Sequence, residues 1–156
     1  MCAKLFCNSE AVRQSDILRV QASSCLTDPE IGTVHSADRV IDGQTDTAWA
    51  EGVDGYGAGE EMTLVLKDSY KISGFRIAAG YHKNEKLYYE NARPKTVTVT
   101  LSDGSQVFCS ELEDVYAEQT VWFDREVVTD AVTIRVDSVY IGSKYEDTVI
   151  SEIVLF

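Results

Sequence analysis

Beyond Glu60 the sequence is built from short segments rich in β-branched and aromatic residues, separated by polar turns. In residues 96–101 polar and apolar residues alternate strictly, which places Val97, Val99 and Leu101 on one face of a strand. Asp103-Gly104 follows this segment, and such a dipeptide between two strand-like segments is typical of a hairpin turn. No apolar repeat is long enough for a helix of three turns. The chain beyond residue 60 is therefore predicted to be all-β.

About eight strands are predicted, and they cover residues 16–24, 62–66, 71–79, 96–101, 106–112, 120–123, 131–139 and 149–156. Many short strands without long helices favour an antiparallel jelly-roll β-sandwich with long loops at one end. A chain of 156 residues is long enough for one domain with its own core. We expect a lead-in segment over residues 1–15 and the sandwich over residues 16–156. Residues 36–41 are predicted to form a single helical turn capped by Ser36.

The charge balance restricts the partners that the chain can bind. Its formal net charge is −12 and its sequence pI is about 4.5, whereas nucleic acids and anionic membranes select for Lys and Arg. No segment approaches the roughly 20 apolar residues of a membrane span. Neutral or cationic partners remain open.

The four cysteines and two tryptophans carry further expectations. Cys2, Cys7, Cys25 and Cys109 allow three complete disulfide pairings, but free thiols are favoured. Cys109 lies in a strand-like segment and is expected to be a buried thiol. Trp49 and Trp122 are both expected in the core.

Residues 40–60 form a glycine-rich acidic stretch, with five of the ten glycines and five carboxylates. Glycine suits positions where the backbone takes a positive φ or passes close to another group, so a long, tightly wound loop is predicted. Crowded carboxylates repel one another unless hydrogen bonds, a basic partner or a cation offset the charge. The loop is therefore either an ordinary solvated connection, or its first half wraps a hard cation and its second half lines a ligand site.

Residues 80–95 and 140–148 are long polar connections with many aromatic side chains, and such loops on a rigid sandwich often carry function. Sugars bind to flat apolar rings and to planar polar groups that pair with hydroxyls. Tyr89, in the connection of residues 80–95, is one such ring. The predicted ligand-binding set is Glu51, Glu60, Tyr81, Lys83, Asn84, Tyr88, Asn91 and Arg93. In the alternative interpretation Arg93 pairs internally with Glu51 or Glu60, and Tyr81 or Tyr88 packs in the core.

Motifs along most of the chain resemble a known family. The core Asp42-Gly43-x-x-x-Thr47-x-Trp49 and the C-terminal Ile150-Ser-Glu-Ile resemble discoidin or coagulation-factor C-type, galactose-binding-like domains. The chain also resembles a bacterial subgroup that includes the glycan-binding translocation domain of a streptococcal NAD glycohydrolase. The subgroup motifs are Trp49-Ala-Glu-Gly, Gly57-Ala-Gly-Glu, Gly80-Tyr, Lys83-Asn, Asn91-x-Arg-Pro, Ser102-Asp-Gly and Tyr145-x-Asp-Thr-x-Ile-Ser-Glu.

The resemblance implies a structural calcium ion, because members of this family often carry one. Calcium takes six to eight oxygen ligands. The implied ligands are carbonyls near Val40 and Gln44, the side chain of Asp42, the hydroxyl and carbonyl of Thr47, and the carboxylate of Glu152. In the alternative interpretation Asp42 opens a turn and Glu152 is a charge at the sheet edge.

The function expected from the sequence is a non-catalytic carbohydrate-binding or cell-surface recognition module of a larger secreted or surface bacterial protein. One alternative is an adhesion or translocation module that binds protein partners without a sugar site. A second is a glycoside-active enzyme that uses Glu51 with Glu60, or either of them with Asp54, as a carboxylate pair. The chain has no serine-nucleophile elbow, zinc-protease motif or phosphate loop, which disfavours an enzyme.

Overall fold

A computed structural model describes residues 11–156, and the expectations for the lead-in segment before residue 11, Cys2 and Cys7 fall outside the described residues. Seven strands account for most of it: β1 (Ile17–Ala22), β2 (Trp49–Ala50), β3 (Glu61–Ala79), β4 (Arg93–Leu101), β5 (Gln106–Glu111), β6 (Gln119–Tyr140) and β7 (Val149–Leu155). The helices are short: two 3₁₀ turns at Gln14–Asp16 and Ala37–Ile41, and α1 at Glu85–Glu90. None of the described helices is long and apolar enough to cross a membrane.

The two long strands β3 and β6 fold the sheet over on itself. The first part of β3, residues 61–65, pairs with residues 131–135 of β6, and its second part, residues 72–77, pairs with residues 119–127. The first part also pairs with β1 and the second part with β7, while β4 joins the later part of β6 and β5 joins β4. All pairings between strands are antiparallel. The result is the two-layered jelly-roll sandwich that the sequence predicts.

Strict alternation of side chains fills the space between the layers. Val97 and Val99 of β4 are fully buried, as are Leu64, Ile72 and Ile77 of β3. Because side chains on a strand point to opposite faces in turn, each of these strands contributes one apolar face to the core. Trp49 is 1% exposed, which confirms its expected core position.

The predicted turns and boundaries agree with the structure, with two exceptions in strand count. Gly104 has a φ of 84° in the turn between β4 and β5, and the 3₁₀ turn over residues 37–41 lies where the helical turn was predicted. Ser36 is at the N-cap position, but the predicted cap is wrong, because its hydroxyl donates to the side chain of Asp38 and not to the helix backbone. The predicted strands 62–66 and 71–79 are one strand, and so are 120–123 and 131–139. The backbone stays extended where it crosses from one layer to the other, although Asp, Ser and Lys at these crossings are typical of turns. These two mergers reduce the eight predicted strands to six, and the short β2, which was not predicted, brings the number of described strands to seven.

Two expectations about burial are wrong. Trp122 is 60% exposed because Val121 and Phe123 on either side of it face the core, and alternation turns Trp122 outward. Cys109 is an exposed free thiol, since it shares the outer face of the sheet with Thr98, whose hydroxyl lies 3.5 Å from its Sγ. Cys25 is also an exposed free thiol, and the expectation of free thiols holds for these two residues.

Candidate functional site

Four loops meet at one end of the sandwich, and we call this surface the loop end. They are residues 51–60, 80–92, 112–118 and 141–148. Backbone hydrogen bonds tie the second loop to the fourth, because the amide of Lys144 donates to the carbonyl of Glu90 (3.1 Å) and that of Ala92 donates to the carbonyl of Asp147 (3.1 Å). The amide of Glu51 donates to the carbonyl of Thr148 (3.2 Å), which adds the first loop. The loop end is therefore one connected surface.

Arg93 joins the second loop to the third from below the surface. Its Nε and Nη2 donate to the two oxygens of Asp114 at 2.9 and 3.0 Å, and its Nη1 donates to the carbonyls of Asn91 (2.9 Å) and Tyr88 (3.2 Å). The side chain is 6% exposed. Burial would raise the pKa of Asp114, but hydrogen bonds from Arg93 and Tyr88 and the charge of Arg93 outweigh it and hold the pKa below its ordinary value. Arg93 is thus a structural anchor.

Tyr88 is the buried centre of an aromatic cluster around this ion pair. Its hydroxyl donates to Asp114 at 2.8 Å, and burial together with that bond raises its pKa well above the ordinary value. Its ring lies 5.0 Å from the ring of Tyr89, 5.4 Å from that of His82 and 5.5 Å from that of Tyr116, between centroids. Tyr89 is 46% exposed and Tyr116 is 39% exposed. We call these two exposed rings the tyrosine platform.

His82 borders the tyrosine platform in its neutral form. Its Nε2 lies 2.7 Å from the carbonyl oxygen of Ala79, so this nitrogen carries the proton and donates. Burial lowers the pKa of the imidazole, which keeps the ring uncharged at neutral pH. Nδ1 is then a hydrogen-bond acceptor. The hydroxyl of Tyr116 donates to the backbone carbonyl of His82 at 3.4 Å, and the two rings lie 5.2 Å apart.

Three residues of the predicted set, Lys83, Asn84 and Tyr81, lie at or near the surface. Lys83 and Asn84 are exposed, and the side-chain oxygen of Asn84 accepts from the amide of Leu87 at 2.9 Å to cap α1. Tyr81 is half-buried and packs against the small cluster of Ala48, Ala50 and Val149. Burial raises the pKa of Tyr81, so its hydroxyl stays protonated.

The two glutamates of the predicted set brace the first loop. Glu51 is fully buried, and its oxygens accept from the amides of Val53 (2.9 Å) and Thr148 (3.2 Å). Burial raises its pKa, although these bonds oppose the change. Glu60 accepts from the hydroxyls of Ser23 and Ser24, both at 2.5 Å. A carboxylate with no exposed surface cannot reach a glycosidic bond, so neither predicted pair that contains Glu51 can act on a glycoside.

The predicted set therefore divides into two groups. Glu51, Tyr88, Asn91 and Arg93 have internal partners; the amide of Asn91 donates to the carbonyl of Leu87 at 2.9 Å. Lys83, Asn84, Glu60 and part of Tyr81 remain accessible, and for these a role in ligand binding stays a prediction. The alternative interpretation is right that Arg93 is paired internally and that Tyr88 is buried, but the partner of Arg93 is Asp114 and not Glu51 or Glu60. Sequence reasoning missed Asp114, Tyr116 and His82; two of them lie in the loop 112–118, which carried no motif.

A second cluster lies where the loop 42–47 meets β7. One oxygen of Glu152 accepts from the amide of Gly43 at 3.3 Å, and the other is buried with no hydrogen-bond partner. Asp42 accepts from the amide of Gln44 at 2.9 Å and from the hydroxyl of Thr47. Burial, and then the charge of Asp42, raise the pKa of Glu152 to about 7. The bond from Gly43 fastens the glycine-rich loop to the last strand.

The donor chemistry of this cluster suits a hard cation. No group of three or more His, Cys, Asp or Glu side chains that could hold a metal occurs in residues 11–156, but calcium also accepts carbonyl and hydroxyl oxygens. The buried oxygen of Glu152 without a partner is the observation that fits, because such an atom is costly unless something neutralises it. The carboxylates of Asp42 and Glu152 would supply the charge. Val40, Gln44 and Thr47 would supply backbone carbonyls and a hydroxyl.

The fold is that of the family 32 carbohydrate-binding modules. The module of NanJ from Clostridium perfringens, solved in complex with galactose, aligns with a TM-score of 0.69 at 21% identity over 93% of this chain and 96% of that chain. CpGH89CBM32-5 from the same species, solved with GalNAc-β-1,3-galactose, gives 0.67 at 19% identity over 94% and 99%. A structure of ZmpB from the same species, with two such modules and an M60 catalytic domain, gives 0.73 at 12% identity over 95% of this chain and 14% of that chain. No curated protein is significantly similar in sequence.

The chain belongs to the NAD glycohydrolase translocation F5/8 type C domain family, whose model matches residues 13–156. This confirms the family resemblance inferred from the motifs. The family model describes a translocation domain, which agrees with the expectation of a non-catalytic module.

Proposed function

We propose that this domain binds a glycan at the loop end, on the tyrosine platform, and catalyses no reaction. The observation that carries the proposal is the ion pair between the buried Arg93 and Asp114, which together with Tyr88 supports the exposed rings of Tyr89 and Tyr116. Rings fixed before binding lose little conformational entropy when a ligand arrives. The sugars bound by the similar modules of NanJ and CpGH89CBM32-5 support the class of ligand.

The platform and its neighbours match the two needs of sugar recognition. The apolar CH face of a pyranose stacks on an exposed ring, here Tyr89 or Tyr116. Hydroxyl groups then pair with Nδ1 of His82, the ammonium of Lys83 and the free amide nitrogen of Asn84. Arg93 acts by holding the rings, and it does not contact the sugar.

The charge of the domain favours a neutral sugar. With a net charge of −12, the surface repels polyanionic glycans over a distance of about 8 to 10 Å at ordinary ionic strength. A neutral hexose or N-acetylhexosamine carries no such penalty.

A glycan array probed with the purified domain tests this proposal. We expect neutral glycans to be retained, and a titration of the best of them into ¹⁵N-labelled protein to shift amide signals in residues 81–91 and 114–118. Shifts confined to the far end, such as the turn 102–105, or an array without any bound glycan would overturn it.

We also propose that calcium binds between the loop 42–47 and Glu152. The ion would neutralise two neighbouring carboxylates and clip the loop to β7. Calcium is expected to raise the melting temperature of the wild-type domain relative to EDTA, and to leave that of Glu152→Gln unchanged. Equal melting temperatures with calcium and with EDTA for the wild type would refute the site.

We further propose that the domain is part of a larger bacterial protein that acts at the cell surface or outside the cell. The ZmpB structure, in which similar modules stand beside a catalytic domain, supports this arrangement. The domain would then hold neighbouring domains close to a glycan-bearing surface. Immunodetection in culture medium and in the surface fraction of the source bacterium tests the location, and detection only in the cytosol would contradict it.

A further inference from the structure

A groove runs along one side of the sandwich, between β5 and the first part of β6. It consists of two adjoining cavities of about 380 and 260 Å³ that share Phe108, Ser110 and Trp122. One end is closed by Gln119, whose side chain accepts from the amide of Glu113 at 2.9 Å and donates to its carbonyl at 3.0 Å. We call this feature the side groove. It is separate from the tyrosine platform, because neither Tyr89 nor Tyr116 lines it.

Both walls of the side groove are strand edges. β5 pairs only with β4, and residues 119–127 of β6 pair only with β3. In the described part of the chain no further strand covers either edge. Unpaired amide and carbonyl groups in such an edge are a template for another extended chain.

Trp122 gives the side groove an apolar anchor point. Although 60% exposed, its ring is held on one side by Phe156, with 4.9 Å between ring centroids in an edge-to-face arrangement. Its neighbour across the strand pair is Gly74, where an added Cβ would lie 2.1 Å from the carbonyl oxygen of Val121 and 3.0 Å from the ring of Phe156. The absence of a side chain at Gly74 allows the Val121 backbone to approach closely and leaves room for the ring of Phe156, which packs against Trp122. Large aromatic residues held in this way often dominate binding energy at interfaces.

The charged side chains that line the side groove are all acidic. Its lining includes Glu111, Glu113 and Asp124 and contains no Lys or Arg. Asp124 pairs with Arg125 at 2.8 Å, whereas Glu111 and Glu113 make no ion pair within residues 11–156. A second copy of this chain, which itself carries a net charge of −12, would be repelled. A basic segment would be attracted.

We propose that the side groove binds an extended, basic segment of a partner protein, which adds as a strand to the free edge of β5. Its backbone pairs with residues 107–111, one apolar side chain packs on Trp122 and Phe108, and its Lys or Arg side chains face Glu111 and Glu113. The domain thus has two recognition surfaces, one for a glycan at the loop end and one for a protein along its side.

The test uses a blocked nine-residue peptide of alternating lysine and valine, with the matched glutamate and valine peptide as the control. The chain has two tryptophans; Trp49 is buried and Trp122 exposed, so a change in intrinsic fluorescence reports on the side groove. We expect the basic peptide to shift the emission to shorter wavelength and to slow amide exchange in residues 107–111. Binding should weaken as salt is added.

Matched variants locate the contact. Trp122→Ala should weaken binding at least tenfold, measured by the anisotropy of a labelled peptide, since anchors of this type dominate interfaces. Glu113→Lys should weaken it severalfold, and Tyr89→Ala should leave it unchanged. The proposal is overturned by equal binding of the acidic peptide, by no binding of either, or by unchanged affinity in Trp122→Ala. Concentration-dependent protection of β5 without peptide would also overturn it, because the occupant would then be a second copy.

Discussion

Replacing Arg93 by alanine is expected to destabilise the domain and only indirectly to weaken ligand binding. The guanidinium is 6% exposed, holds Asp114 with two bonds and donates to two backbone carbonyls. Removing one partner of a buried pair typically costs 3 to 5 kcal/mol. The side chain of Asp114 is 33% exposed, so water partly stabilises the remaining charge and the lower end, about 3 kcal/mol, applies.

For a chain of this size, about 3 kcal/mol corresponds to a fall of about 6 to 12 °C in melting temperature. Urea unfolding followed by circular dichroism measures the free energy, and scanning calorimetry measures the temperature. Lys83→Ala, an exposed position in the loop that precedes Arg93, is the control and should change stability by less than about 0.5 kcal/mol. The double variant Arg93→Met with Asp114→Leu should recover part of the lost free energy of unfolding, because it removes both charges and leaves no carboxylate without its partner. Wild-type stability in Arg93→Ala would refute the anchor role.

Three further predictions concern the glycine-rich stretch of residues 40–60 and its contact with β7. Without calcium, the pKa of Glu152 in the folded protein is about 7, against an ordinary 4.5. The folded state therefore binds the proton of Glu152 more tightly than the unfolded state does. The stability contributed by this proton is fully present below pH 4.5 and falls by about 3 kcal/mol as the pH rises through 7. Glu152→Gln should remove that slope in urea titrations between pH 4.5 and 8, and an unchanged slope would contradict the assignment. Calcium should restore the lost stability above pH 7 in wild type alone, which calorimetry checks. Gly57 has a φ of 72° and an added Cβ would lie 2.5 Å from Cδ of Glu51, whereas Gly55 has a φ of 84° and open space. Gly57→Ala should therefore cost about 2 to 3 kcal/mol and Gly55→Ala less, and equal costs would show that contact with Glu51 is unimportant.

Local sequence patterns were sufficient to predict the strands and the hairpin turn, because alternation and turn dipeptides involve residues that are close together in the chain. The alternation of Val97, Val99 and Leu101 identifies an apolar face, and Asp103-Gly104 identifies the turn that follows. Alternation alone does not say which of two faces points inward. At Trp122 the strand-like pattern suggested the core, but its neighbours Val121 and Phe123 face inward, and alternation therefore turns Trp122 outward.

The layer crossings in β3 and β6 were not predictable from composition. Residues 67–71 read Lys-Asp-Ser-Tyr-Lys and would suit a turn, yet the chain remains extended and changes pairing partners there. Whether such a stretch turns back or continues depends on contacts with distant strands, and these contacts are absent from the local pattern.

The candidate site was predicted only in outline. Sequence reasoning placed it in the loop 80–95 but assigned Arg93 to the ligand, or to Glu51 or Glu60. Its partner Asp114 lies 21 residues away in a loop without a motif, and many carboxylates in this acidic chain were equally plausible. Choosing among them requires knowing which loops meet at the end of the sandwich. The pairing of β4 with β6 and of β3 with β7 determines that, and no single segment does.

Calorimetric titration of the best array glycan into wild type, Tyr89→Ala and Trp122→Ala tests whether the sugar binds on the tyrosine platform. If it does, Tyr89→Ala loses at least tenfold in affinity at unchanged stability, and Trp122→Ala keeps wild-type affinity. Equal affinity in wild type and Tyr89→Ala, or a loss in Trp122→Ala alone, would show that the sugar binds elsewhere.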